Sequence, residues 1–136
     1  MSYLLDTNVC IALINGSSSN VRARFMQAVR SGTMLATSSI VAHELWYGVA
    51  KSQLVARNAS ALTAFLSRDI ILLDYSERDA QAAGEIRAEL ESQGQRIGEY
   101  DTLIAGQAFA RNLILVTANT REFGRVKGLI VEDWTV

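Results

Sequence analysis

Four acidic residues interrupt or border apolar segments of the chain: Asp6 in Leu4-Leu5-Asp6-Thr7-Asn8, Glu44 in Ala42-His43-Glu44-Leu45, Asp101 before Thr102-Leu103-Ile104, and Glu122 in the stretch Thr117 to Glu122. A carboxylate beside a buried element is costly unless a cation or several hydrogen bonds accompany it. A divalent ion among oxygen ligands removes that cost, and magnesium or manganese suits such a set. An ion of this kind acidifies its bound water and neutralises charge at a scissile phosphate. The pattern points to metal-dependent hydrolysis of phosphate esters.

Each acid also has a plainer local reading. Asp6 before Thr-Asn is a good helix cap. Asp101 suits the first turn of a helix, where negative charge complements the dipole. Glu44 can pair with Lys51 at a helix rim, and Glu122 can be an ordinary surface acid. Singly these suffice; together they require several independent acids to interrupt buried segments by chance. Composition narrows the alternatives. His43 is the only histidine, so a two-histidine acid–base pair is absent. One cysteine with one histidine makes no structural zinc site. His43 itself reads as a structural or surface residue. There is no P-loop and no glycine-rich dinucleotide fingerprint, and no helix-turn-helix or basic arm is visible.

The elements that must position these residues fit one domain spanning residues 1–136, with 49% hydrophobic and 20% charged residues. A net charge of −1 argues against a broad, non-specific nucleic-acid coat but not against a local basic groove. The single cysteine, Cys10, excludes an internal disulfide and fits a reducing cytoplasm. The first residues lack the basic region of a secretory leader, and no apolar run approaches the ~20 residues needed to span a bilayer.

Apolar runs predict strands at 3–5, 34–37, 70–73, 113–116 and 129–131. Helical spacing predicts helices at 7–14, 20–31 and 58–67, one following Ser38 or Ser39, and a long one at 76–92 opened by a Ser76/Asp79 capping box. Asp101 opens a further helix with Ile104, Ala105, Ala108 and Phe109 inward. Such alternation implies an α/β sandwich around a parallel sheet, whose sites form at the carboxyl ends of strands. Asp6, Glu44 and the 117–122 stretch fall at that edge. Asp101, starting the helix that feeds the fourth strand, falls at the opposite edge on a simple path.

In order and spacing, Leu4-Leu5-Asp6-Thr7-Asn8, Ala42-His43-Glu44-Leu45-Trp46-Tyr47-Gly48, Ile97 to Ala105 and Leu115 to Phe123 resemble the PIN-domain ribonucleases. More narrowly, the chain is similar to the VapC toxins of bacterial type II toxin–antitoxin systems. The resemblance runs from residue 3 to about Trp134. It implies a twisted parallel sheet of about five strands with helices on both faces, and an acidic pocket that the Asp101-type residue does reach. It further implies that Asp6 and Asp101 ligate a metal, directly or through water, that Glu44 completes the cluster and orients water, and that RNA is cut with magnesium or manganese. Two positions depart from the family pattern. Asn119 stands where a fourth aspartate is common and cannot act as a base, so Asn119 or Glu122 completes the site. Glu99 stands where many relatives carry proline, adding negative charge nearby.

Arg121, Arg125 and Lys127 follow the fourth strand and can meet phosphates, or form a solvated basic loop. By resemblance the substrate is a structured RNA, with the anticodon loop of initiator tRNA a leading candidate. The resemblance also implies a cytoplasmic homodimer and a cognate VapB-type antitoxin in a larger complex, with no membrane association. Ile11, Ile14, Trp46 and Tyr47 are expected either to anchor that partner in an apolar groove or to belong to the core. The competing reading is a PIN-like domain that binds RNA or protein without catalysis; Asn119 favours it, and the retained Asp6, Glu44 and Asp101 oppose it.

Overall fold

A computed structural model describes residues 1–136. Five strands, β1 (Ser2–Leu5), β2 (Met34–Ser38), β3 (Ile71–Leu73), β4 (Ile114–Val116) and β5 (Val131–Glu132), form one sheet in the order β3-β2-β1-β4-β5. Every pairing is parallel. Seven helices connect them: α1 (Thr7–Asn15), α2 (Ser19–Arg30), α3 (Ser39–Lys51), α4 (Val55–Leu66), α5 (Glu77–Ser92), α6 (Glu99–Ala110) and α7 (Thr120–Phe123). The chain steps from β1 to β2 to β3 in one direction, then returns past β1 to β4 and β5. Right-handed crossovers in opposite directions place helices on both faces. They also create a switch point between β1 and β4, where a crevice opens beyond the strand ends.

Local chemistry explains most boundaries. Gly16 (φ 65°) closes α1 in the left-handed region, where a side chain would strain the backbone. Ser18 caps α2, Ser38 caps α3, and Ser76 with Asp79 forms the full reciprocal capping box of α5. The central strands β1, β2 and β4 supply Leu4, Leu5, Leu35, Ala36, Leu115 and Val116 to the core. Val41, Leu45, Ile104, Ala105 and Ala108 pack onto it from the helices.

The structure departs from the expected elements in several ways, α4 beginning at Val55 and α6 at Glu99, both earlier than expected. Phe109 is 49% exposed rather than buried, because the inward face of α6 is filled by Ile104, Ala105 and Ala108. β3 is an edge strand, so its Ile71 and Leu72 are exposed despite the apolar run. The last strand lies at Val131–Glu132, later than expected. The short α7 was not anticipated; four residues carry too little periodicity to read. No helix is long and apolar enough to cross a membrane.

Helices α5 and α6 form an antiparallel pair pressed close together. The buried Asp79 near the start of α5 accepts hydrogen bonds from Gln107 and Arg111 at the end of α6. At the crossing, a Cβ built on Gly106 would lie 2.5 Å from the Ala83 Cβ. The end of α6 hands over directly to β4, with the Leu113 amide donating to the Ala108 carbonyl. A helix that delivers the chain to the amino end of a strand and packs back along it begins a helix length away. Asp101 therefore sits at the carboxyl edge, which corrects the simple-path expectation.

Candidate active site

Asp6 ends β1 and begins α1. Its amide still donates to the Val116 carbonyl of β4 (3.1 Å), so the residue sits directly over the switch point. One carboxylate oxygen caps α1, accepting from the Val9 amide at 2.9 Å. The capping reading is thus correct, and it coexists with a place in the acidic site. Asp6 is only 7% exposed. Burial pushes its carboxyl above the ordinary value, against the hydrogen bonds from the Thr117 hydroxyl and the Val9 amide. The charge of Glu44 adds to the rise, and the Asn8 amide opposes it.

Glu44 projects from the second turn of α3, which starts at the end of β2. It is half-buried, and its Oε1 accepts from the Thr7 hydroxyl at 2.6 Å. Thr7 opens α1, so this bond ties the Glu44 side chain to the element carrying Asp6. The Lys51 pairing does not form: Lys51 Nζ instead lies 4.9 Å from the Tyr47 ring centroid.

Asp101 lies in the first turn of α6. Its pKa is raised from 3.8 to about 6 by burial first, then by the charges of Glu122, Glu44 and Asp6. No hydrogen bond offsets these influences. Four carboxylates from four separate segments therefore share one electrostatic site. None of them takes part in the molecule's ion pairs, which join Arg24–Glu132, Arg87–Glu91, Arg96–Glu91 and Arg111–Asp79. Glu99, two residues before Asp101, lines a separate groove between α5 and α6 with Arg87, Arg96 and Thr102.

The turn after β4 brings Asn119 and Glu122 together. Thr117 accepts from the Asn119 amide (3.0 Å), and Asn119 Nδ2 donates to Glu122 Oε2 (3.1 Å). α7 returns Glu122 one turn later, and its charge is the strongest acting on Asp101. Asn119 holds the carboxylate in place of being one. Sequence reasoning missed Thr7 and Thr117, each in contact with a site acid; Thr117 directly follows β4 and Thr7 directly follows Asp6, which was the available signal.

The expected substrate and partner residues divide. Arg121 is exposed on α7, beside Glu122. Arg125 donates to the Arg96 carbonyl (3.0 Å), and with Lys127 it lines a groove against Glu85, Gln93 and Phe109. Phe109 lies eight residues along α6 from Asp101, roughly 12 Å, so these two cations flank α5 rather than the acidic site. Ile11 and Ile14 line a cleft of about 280 Å³ with Leu45, Gly48 and Val49. Trp46 and Tyr47, 41% and 59% exposed, lie on the other side of α3; the four apolar anchors do not form one groove. His43 is a surface residue, as expected, with Nε2 3.3 Å from the Tyr100 hydroxyl.

A divalent ion fits this donor set. Four unpaired acids crowd one edge, and one of them ionises only near neutrality. No three of them stand close enough to enclose an ion unaided. An ion that keeps several of its own waters needs only one or two of these carboxylates directly.

Residues 3–129 match the PIN domain family. The chain is 47% identical over 135 residues to the tRNA(fMet)-specific endonuclease VapC of Shigella flexneri, covering 99% of each chain. Among solved structures it superposes on the Rickettsia felis VapBC2 complex bound to a promoter DNA fragment, with TM-score 0.92 and 41% identity over 98% of this chain and 99% of that one. The DNA-bound VapBC of Salmonella typhimurium gives TM-score 0.90 and 42% identity over 98% of both chains.

Proposed function

The chain belongs to the PIN-domain family, among its VapC ribonucleases, and from that premise we propose that it is the toxin of a type II toxin–antitoxin pair, an endoribonuclease that cuts initiator tRNA in the cytoplasm with magnesium. The observation that carries the reading is the four-carboxylate edge at the β1/β4 switch point, with Asp101 held near pKa 6 by burial and then by its acidic neighbours. The relatives named tRNA(fMet)-specific endonucleases span almost the whole chain and support the substrate class.

In the proposed mechanism Asp6 and Asp101 would hold the ion, with magnesium favoured and manganese able to replace it. When bound, the ion supplies positive charge that acidifies water and neutralises the phosphodiester oxygens. Glu44 would orient the attacking water and take its proton at Oε2, while Thr7 fixes Oε1; as the water oxygen bonds phosphorus, a bridging P–O bond breaks and its oxygen leaves, taking a proton from solvent. Glu122, steadied by Asn119, completes the negative pocket. The Asn119 position, which favoured a non-catalytic binding module, leaves the site short of no carboxylate because Glu122 provides it. Arg121 meets substrate phosphate at the rim. Ile11 and Ile14 seat an apolar segment of a VapB-type antitoxin in their cleft, within a larger complex built on a homodimer; the likeness to VapBC complexes supports this arrangement.

The test is incubation of the purified, antitoxin-free protein with total bacterial RNA in magnesium or in EDTA, beside the Asp6→Asn variant. Discrete cuts that need both magnesium and Asp6 are expected. Cleavage of equal rate in EDTA, or by Asp6→Asn, would refute the metal-site assignment.

A further inference from the structure

Two exposed rings stand immediately beside the acidic edge. His43 precedes Glu44 on α3, and Tyr100 precedes Asp101 on α6. Their ring centroids are 5.5 Å apart with planes inclined at 51°. Tyr100 is 47% exposed. Consecutive residues on a helix point about 100° apart, so the acids turn to the pocket while the rings turn to its rim. One turn further along α3, on the same face as His43, stands Tyr47, 59% exposed, with the Lys51 ammonium 4.9 Å from its ring centroid. Tyr100 and His43, and then Tyr47 one turn on, thus follow one another in a strip along the rim away from the carboxylates, with the Lys51 ammonium over the Tyr47 ring.

We infer that this strip is a single-strand track: Tyr100 with His43, and then Tyr47, stack successive unpaired bases of the RNA flanking the scissile phosphate, and Lys51 meets the backbone beyond them. The inference rests on the ribonuclease reading and deepens it. An all-acidic centre repels a polyanion, so substrate must be held by groups outside it. Of the expected cations, Arg125 and Lys127 lie on another groove. Stacking is sequence-tolerant and needs no positive charge, which suits a chain of net charge −1. The strip is continuous with the site, and Lys51 supplies the matching charge at its far end.

The experiment measures binding, in EDTA, of a short single-stranded RNA carrying 2-aminopurine, and of the same strand with that nucleotide abasic, to the full-length protein. Tyr47→Ala, Tyr100→Ala and the ring-preserving Tyr100→Phe are compared, with folding checked by circular dichroism and mass by sedimentation. Each alanine variant is expected to bind about tenfold more weakly and to lose the difference between the intact and abasic strands. Tyr100→Phe retains both. Tyr47→Ala carries the test if Tyr100→Ala fails to fold. Wild-type affinity in the alanine variants, or no difference between the two strands, would overturn the inference. So would a shift from dimer to monomer with base dependence unchanged, which would make the strip a self-association face. Cleavage by wild type without base-dependent binding would sink the track and leave the nuclease reading standing. Base-dependent binding through the tyrosines with no cleavage of any RNA in magnesium would do the reverse.

Discussion

Replacing Asp101 with asparagine removes a charge that folding forces among like charges, and the metal-free protein should become more stable at neutral pH. The Asp101 pKa rises from 3.8 to about 6 in the folded chain. At full strength that rise corresponds to about 3 kcal/mol; solvent screening of a partly exposed carboxylate reduces it to about 1–2 kcal/mol. The sign follows from the higher folded-state value. Between about pH 3.8 and about 6 the folded chain keeps a proton that the unfolded chain has released. The stabilising contribution of protonated Asp101 is complete below that window and is lost as pH rises through about 6. Urea denaturation in EDTA should therefore show Asp101→Asn more stable than wild type by about 1–2 kcal/mol near pH 7, with the gap closing near pH 4. Saturating magnesium should reverse the order, since an ion bound only by the folded state adds about 2.7 kcal/mol at a hundred times its Kd. A variant no more stable than wild type near pH 7, or an advantage that persists unchanged near pH 4, would refute the crowded-charge reading.

Asn119→Ala removes the donor that holds Glu122 Oε2. Single-turnover cleavage should slow about tenfold with stability nearly unchanged; an unchanged rate would show that Glu122 needs no such support. Gly106→Ala places a Cβ 2.5 Å from that of Ala83 and must push α5 from α6. Thermal unfolding should report a loss of about 1–3 kcal/mol, and an unshifted melting temperature would contradict the tight crossing.

Much of this was legible in the chain itself. Short apolar runs separated by helical spacing dictated alternating elements, because each strand of a parallel sheet is buried on both faces and each helix on one. Capping chemistry is local, so Asp6, Ser38 and the Ser76/Asp79 box could be read residue by residue. The acids at strand ends announced a charged site, because each has a local excuse but several together beside one core are not expected by chance. Three things depended on tertiary structure. The direction in which α6 packs back along β4 brought Asp101 to the others. The turn of α7 set Glu122 against Asn119 through a single 3.1 Å bond. The face of α3 on which each aromatic falls parted Trp46 and Tyr47 from the Ile11/Ile14 cleft. Sequence specifies what each residue prefers among its neighbours along the chain. Which distant groups become neighbours depends on how whole elements pack, and a pKa near 6 at Asp101 exists only once packing has buried the carboxyl and carried three others to it.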